Sequence, residues 1–393
     1  MVDRSAFRVV ALLSLLGAVF VSGCGTPQVI APPGDNVVIV LVSGTSNEPR
    51  PILTPTAIGI LSAQADRSDV SSTVAVVVNA DGDHRSVVPL TPRRTDRSIE
   101  HGFQRASLIT ANVGKVEAVV SGESASSPEL DLLDAIDRNA RAAPRGTLIV
   151  VSNGLSTAGG FDLREVQWNA DPAEVVRDLA ARDLLPALSG WHVVWTGINE
   201  RWGEQPRLPK PARDANSRYW AAICAAAGAS SCTFDQAPLA PTPPTATVRS
   251  FPVPVPHLES TSGPAGVTIS VPETLLGFPP NSAVLGPAAT DTISEISARI
   301  GAAAAGHPNT VLTVTGYAAD PPGSVVADCV RLSNARARAV ADALRAAGVR
   351  ISINVVGGGI APGTSSMRNG FFVEALAEQM RRVDVEVRTD QSG

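Results

Sequence analysis

Over most of the chain, short runs of apolar residues alternate with stretches whose apolar positions recur at helical spacing. Asn36 to Val42 is a continuous apolar run, followed by the small-hydroxyl loop Ser43-Gly44-Thr45-Ser46-Asn47 and a helix predicted over Pro55 to Ala65. Further strands are predicted over Thr73 to Val78, Arg85 to Leu90, Gly146 to Ser152, Trp191 to Gly197 and Cys232 to Phe234. Helices are predicted over Ile99 to Val119, from Ser127 as N-cap to Ala142, from Asp171-Pro172 to about Leu185, and over Asp214 to Ala227. Strands that are apolar throughout need cover on both faces. Residues 36–235 are therefore expected to form an α/β domain, a doubly wound parallel sheet whose ligand site lies at the carboxyl ends of the strands.

The pattern then changes twice. Residues 236–266 contain Pro241-Thr242-Pro243-Pro244 and Phe251-Pro252-Val253-Pro254-Val255-Pro256, which cannot join a sheet interior and favour extended polyproline geometry. They read as a semi-rigid interdomain linker. Over 267–390, strands are predicted at Val267 to Val271, Thr310 to Thr315, Ile351 to Val356 and Arg381 to Val387, with helices over Ala288 to Ala304 and Asn369 to Gln379. Between them a helix with Ser333 as N-cap turns Ala337, Val340, Ala341, Leu344 and Ala347 to one face, while Arg338, Asp342 and Arg345 project to solvent. This capping puts Arg336 in the first turn, where the helix dipole disfavours a cation by a few tenths of a kcal/mol, so something else should hold it, a surface ion pair or a ligand.

Residues 1–24 read as a targeting segment: Arg4 and Arg8 precede an apolar core, Val9 to Val21, too short for a committed membrane span. Residues 25–35 form a Pro/Gly tether. The formal net charge of −5 with 18% charged residues leaves no basic patch, which argues against nucleic acid as a partner. The histidines are scattered, with His192 read as a satisfied core residue inside an apolar strand, and no nucleophile elbow, zinc helix or phosphate loop occurs. The chain is accordingly read as no enzyme and without a cofactor. In an oxidising envelope Cys224 and Cys232 are the simplest disulfide; spacing leaves pairings through Cys329 open.

Three resemblances sharpen this picture. Val21-Ser22-Gly23-Cys24 resembles a bacterial lipobox, which implies that Cys24 carries lipid. Gly316-Tyr317-Ala318-Ala319-Asp320 followed by Leu332-Ser333-Asn334-Ala335-Arg336-Ala337 resembles the signature of OmpA-like peptidoglycan-binding domains. Phe278 to Leu285 and Arg381-Arg382-Val383-Asp384-Val385 continue that pattern in order. The resemblance implies an α/β sandwich in which Asp320 and Arg336 grip the diaminopimelate of a stem peptide. An aspartate accepts from the ammonium, and a guanidinium fork holds the carboxylate. The chain departs from the family at Ala318-Ala319 and Cys329, and Asp328 is the next acceptor in the same loop.

The region 36–235 resembles a von Willebrand factor A-type domain, with Ser43 and Asn153 where that family has metal-binding aspartates. Uncharged oxygens there imply no tight metal site, with Asp81 and Asp162 in nearby loops as the candidates to substitute. Together these readings describe an envelope lipoprotein, lipid-anchored to a membrane, that tethers it to peptidoglycan, with a protein partner expected for the first domain. The alternatives are an adhesin or assembly factor acting through that domain, and a cell-wall hydrolase.

Overall fold

Every residue of β1 (Val37–Val42) is buried, because a β-branched run with no polar alternation must be covered on both faces. The computed structural model describes residues 37–389 except 68–71, 83, 167, 264–265, 280, 288, 363–364, 369–370 and 373. Cys24, the targeting segment and the tether lie outside the described residues. Around β1, the strands β2 (Val74–Asn79), β3 (Arg85–Pro89), β4 (Gly146–Val151), β5 (Trp191–Thr196) and β6 (Ser231–Phe234) form a sheet of order β3-β2-β1-β4-β5-β6. All pairings are parallel except β2 with β3. Pro89 sits on β3, an edge strand, where no ladder bond is lost.

Helices α1 (Pro55–Asp66) and α2 (Arg105–Gly122) cover one face, burying Leu61, Val113 and Val116 with Val38, Val40 and Val77. After them come α3 (Leu132–Ala140), α4 (Pro172–Ala181) and α5 (Lys210–Ala226). Trp220 of α5 packs against Trp195 and Phe161 with ring centroids 4.8 and 5.0 Å apart. Caps match their residue types: Thr54 accepts from the Ala57 N–H and Asp171 from the Ala173 N–H, each before a proline. Strand order reverses between β1 and β4, which opens a crevice at their carboxyl ends.

Two helices of the first unit start later than patterning predicts, as does the one predicted from Asn369, which begins at Glu374 after Phe371 and Phe372 have paired as strand. Residues 99–104 are folded around Glu100, which is buried and accepts from Arg94 and the Gly102 N–H, so α2 begins at Arg105. The α3 cap is Asp131, not Ser127, because Leu130 and Leu132 give their N–H groups to Thr157 and Ser156 of the loop after β4. His192 also departs from expectation: it is exposed on β5 and pairs with Ser231 Oγ at 2.9 Å.

The second sheet runs β10-β9-β13-β8-β7, from β7 (Glu259–Gly263), β8 (Gly266–Pro272), β9 (Val311–Ala318), β10 (Ser352–Ile360) and β13 (Arg382–Arg388). Only β9 with β10 is parallel, so the sheet is mixed. A two-residue ladder, β11 (Met367–Arg368) with β12 (Phe371–Phe372), lies apart. The helices are α6 (Glu273–Leu276), α7 (Ala289–Ala304), α8 (Val326–Ala346) and α9 (Glu374–Met380). Period-2 alternation turns Leu312, Val314, Val383, Val385 and Val387 inward, where Ile296, Ile300, Val340 and Leu344 of α7 and α8 cover them. At Gly316 a Cβ would come within 2.1 Å of the Ser333 carbonyl oxygen, so α8 rests directly on strand backbone there.

Two expectations are corrected here. Ser333 is not a cap: α8 begins at Val326, and Ser333 is fully buried, giving its hydroxyl to Val330 O and accepting from the Gly359 N–H, both at 3.0 Å. Arg336 is thus deep in the helix, beyond the reach of the N-terminal dipole. Nor is 236–266 a semi-rigid linker throughout. Its last part is strand β7, and the proline-rich part is hydrogen-bonded along the first sheet's loops.

Cys224 and Cys232 are disulfide-bonded, closing the turn between α5 and β6, and Cys329 is a free, buried thiol. Replacing both paired cysteines by alanine is expected to cost about 2–3 kcal/mol for so short a loop. Thermal unfolding with and without reductant measures this, and the double-alanine chain should no longer respond to reductant.

Candidate functional site

Two clusters stand out. At the crevice between β1 and β4, Glu48 folds back from the loop after β1 and is buried at 5% exposure. Its carboxylate accepts from Ser43 Oγ at 2.5 Å, the Thr45 N–H at 3.1 Å, Ser152 Oγ at 3.0 Å and the Asn153 N–H at 2.7 Å. Asn153 is otherwise engaged as well: its Oδ1 accepts from the Leu155 N–H and its carbonyl from Asn216 Nδ2. About 10 Å³ of space remains beside Glu48, no more than a single water requires.

The donor set suits an anion. Amide N–H groups and hydroxyl hydrogens converge on the position, whereas a hard cation needs oxygen lone pairs turned inward. Asp81 and Asp162, the sequence-level substitutes for the missing aspartates, do not reach the crevice. Asp81 accepts from Ser126 and Ser127, and Asp162 is paired with Arg164. Among the described residues no group of three or more His, Cys, Asp or Glu is placed to hold a metal ion. Glu48 was legible only as the first charge after a small-hydroxyl loop, with nothing to indicate that it turns inward.

The second cluster contains Arg336, which α8 places 4% exposed. Its Nη2 pairs with Glu273 Oε1 at 2.6 Å, its Nε donates to the Ser282 carbonyl at 2.9 Å, and its guanidinium lies over the Phe278 ring at 5.0 Å. Glu273 also pairs through Oε2 with Arg381 Nε at 2.6 Å, and its N–H donates to the Arg381 carbonyl. Burial pushes the Arg336 guanidinium below its ordinary pKa; Glu273 opposes that shift and Arg381 adds to it. A guanidinium remains charged at neutral pH all the same. Glu273 is thus the partner that sequence reasoning required for Arg336 but did not name. The one signal was an acid inside the apolar run Val267 to Phe278.

Arg336, Glu273, Phe278 and Arg381 line a cleft of about 2110 Å³, whose other side is formed by residues of the first sheet's α4, α5 and the loop before α4. Asp328 also lines it, ion-paired to Arg331 at 2.8 Å. Asp320 is not among the lining residues. It holds the loop before β11, accepting from the Ser366 N–H at 2.8 Å and from the Ser366 and Ser365 hydroxyls. Burial raises the Asp320 pKa, but the Ser366 and Ser365 bonds outweigh it and leave the carboxyl below its ordinary value. The expected pair is therefore held by separate partners, Arg336 in the cleft wall and Asp320 at a serine loop.

These elements define a chain of two α/β units, one doubly wound and one a mixed sheet with its main helices on one face. No protein-family model and no curated protein sequence matches the chain. Among solved structures it is similar to the periplasmic domain of Helicobacter pylori MotB, at 19% identity and a TM-score of 0.28 over 34% of this chain and 83% of that one. It is similar to the cell wall anchor of the T6SS from Pseudomonas aeruginosa at 21% identity and a TM-score of 0.26, covering 34% of this chain and 88% of the other. The peptidoglycan-associated lipoprotein from Burkholderia pseudomallei is similar at 20% identity and a TM-score of 0.24, covering 30% and 89%.

The crevice geometry has a direct test. Glu48→Ala leaves two amides and the Ser152 hydroxyl without their buried acceptor, while Ser43 Oγ still has Val151 O at 3.2 Å, and is expected to destabilise the chain by about 3 kcal/mol in chemical denaturation. Millimolar Mg²⁺ is expected to leave the wild-type melting temperature unchanged, because a cation with no affinity for the native state shifts no stability. A chelator-reversible rise would show that the crevice accepts a cation after all.

Proposed function

We propose that the chain is a cell-envelope lipoprotein whose second unit binds peptidoglycan through the diaminopimelate of the stem peptide, tethering a membrane to the wall. The observation that carries this reading is the placement of Arg336. A charged guanidinium is held almost fully buried in the wall of a large cleft, at the motif position where the OmpA-like resemblance requires a ligand-gripping arginine. Stability alone is a poor reason to keep such a group, since well-packed apolar residues serve as well or better than a buried ion pair. Glu273 and Phe278 orient the fork while two of its N–H directions are already committed, so the ligand carboxylate meets what remains of the guanidinium edge.

The acceptor for the ligand ammonium is Asp320 in this reading, with Asp328, which shares the cleft with Arg336, as the residue that takes over if Asp320 serves only its loop. The doubly wound sheet with its antiparallel edge strand is compatible with an A-type domain that meets a protein partner. No catalytic step is part of this reading.

Sedimentation with purified peptidoglycan tests the site. Arg336→Lys keeps a cation for Glu273 but loses the planar fork, and is expected to weaken binding ten-fold or more, as is Asp320→Asn. Arg336→Ala should also cost about 2–4 kcal/mol of stability, since it removes one partner of a buried pair, so the lysine variant is the cleaner measure. Arg338→Ala, exposed on the same helix, should leave binding and stability within a small margin of wild type. Wall binding unchanged in Arg336→Lys, Asp320→Asn and Asp328→Asn would refute the reading.

The anchor is tested separately. Detergent partition of the full-length chain should be lost in Cys24→Ala. A single acyl chain gives only marginal attachment, so the tether needs a multiply acylated anchor together with wall binding.

A further inference from the structure

The segment between the two sheets is docked along the carboxyl-end loops of the first one. Thr242 O accepts from the Arg50 N–H at 3.1 Å, and Thr245 Oγ1 donates to Glu123 O at 2.8 Å. Ser250 exchanges two bonds with Ser46: its N–H donates to Ser46 Oγ and its Oγ accepts from the Ser46 N–H. Asn47 Nδ2 donates to the Ser250 and Phe251 carbonyls at 3.2 and 3.1 Å, and the Phe251 N–H reaches Pro128 O at 3.0 Å. The Gln205 side chain forms a two-way pair with Val253, donating to its carbonyl at 3.0 Å and accepting its N–H at 2.8 Å. Trp168 Nε1 donates to Pro254 O at 2.8 Å. Further back, the Leu239 side chain lies against Gly197 beside Glu48.

The chemistry of this groove matches the composition of what lies in it. Proline has no N–H, so a proline-rich strand offers mainly carbonyl acceptors, and three groove side chains, Asn47, Gln205 and Trp168, present N–H donors to them. Proline also fixes the extended geometry beforehand, which lowers the ordering cost of docking. Recognition is directed mainly at the main chain. The one deeply buried apolar side chain of 241–256 is Val253, at 0% exposure, while Phe251 and Pro254 stay exposed. Residues 242–254 belong to neither of the cores built around Val38 and Leu312, and apart from buried Ser250 and Val253 they are half-buried or exposed, so the strand can leave with both cores still packed.

We propose that the carboxyl-end face of the first sheet is a docking groove for an extended proline-rich strand, occupied in cis by residues 242–254 as a releasable latch. In the closed state the linker covers the face where a doubly wound sheet meets its ligands. In the open state the groove is available to a partner strand of the same chemistry, and the linker gains up to about 40 Å of polyproline contour. The proposal does not depend on wall binding.

Hydrogen exchange on the wild-type chain tests the latch directly. The Ser250, Phe251 and Val253 amides should exchange by a local opening that is insensitive to denaturant, while those of β1 and β4 exchange only on global unfolding. Trypsin supplies the second measurement, because Arg249 is the one basic site within 236–258. Val253→Asp removes the anchor and leaves the groove intact, and should speed cleavage after Arg249 at least ten-fold. That variant should also bind a labelled peptide of residues 241–256 in trans, while wild type, with its groove filled, binds it at least ten-fold more weakly. Strap amides that exchange with the same denaturant dependence as β1 and β4 would overturn the latch. So would a folded Val253→Asp chain that neither gains cleavage nor binds the peptide.

Discussion

The interaction on which the first unit depends is the Glu48 carboxylate buried between the loops after β1 and β4. A doubly wound sheet has a gap where its strand order reverses, and the backbone N–H groups of the two flanking loops converge there without secondary-structure partners. Something must accept from them. Here the chain supplies its own acceptor, and the consequence extends along the loop. With Glu48 fixed, Ser46 and Asn47 just before it are held in position to bind Ser250 and Phe251, so the course of the linker follows from where one carboxylate is buried.

Arg336 poses the same problem with the opposite sign. A cation taken out of water needs an anion and directed acceptors, and Glu273, the Ser282 carbonyl and the Phe278 ring supply them from a segment about 60 residues earlier. The helix that carries Arg336 contributes none of them. This arrangement fixes the plane of a guanidinium that would otherwise turn about several rotatable bonds. Truncating Arg336 therefore disturbs the fold, whereas lysine keeps a cation beside Glu273.

The sequence made the elements legible where one physical rule acted alone. Strands β1, β2, β4 and β5 were visible because apolar runs of that length have few other uses, and α4 because Asp171-Pro172 combines a cap with a preset φ. The inward set of β13 followed from strict alternation. Failures came where tertiary partners overrode local signals. Ser127 and Ser333 both have cap chemistry, yet one lies in a loop claimed by residues from β4's end and the other is buried against β10. The partners Glu48 and Glu273 were invisible for the same reason: a carboxylate's sequence position does not say which way it turns. Asp320 shows the converse, since its motif position was legible but its bonds to Ser365 and Ser366 were not.

Composition alone gave the proline-rich segment its extended geometry and left its location undecided, because stiffness and docking are separate properties. A stiff strand loses little entropy when it binds, so the prolines that make 241–256 a poor sheet member also make it a good ligand for a groove rich in N–H donors. Gln205 illustrates the match: its amide presents both a donor and an acceptor to Val253, imitating one rung of a ladder for a strand whose neighbouring prolines cannot form any. The segment between the two sheets is consequently bound to the first one along most of its length when docked, and does not follow the statistics of a free chain.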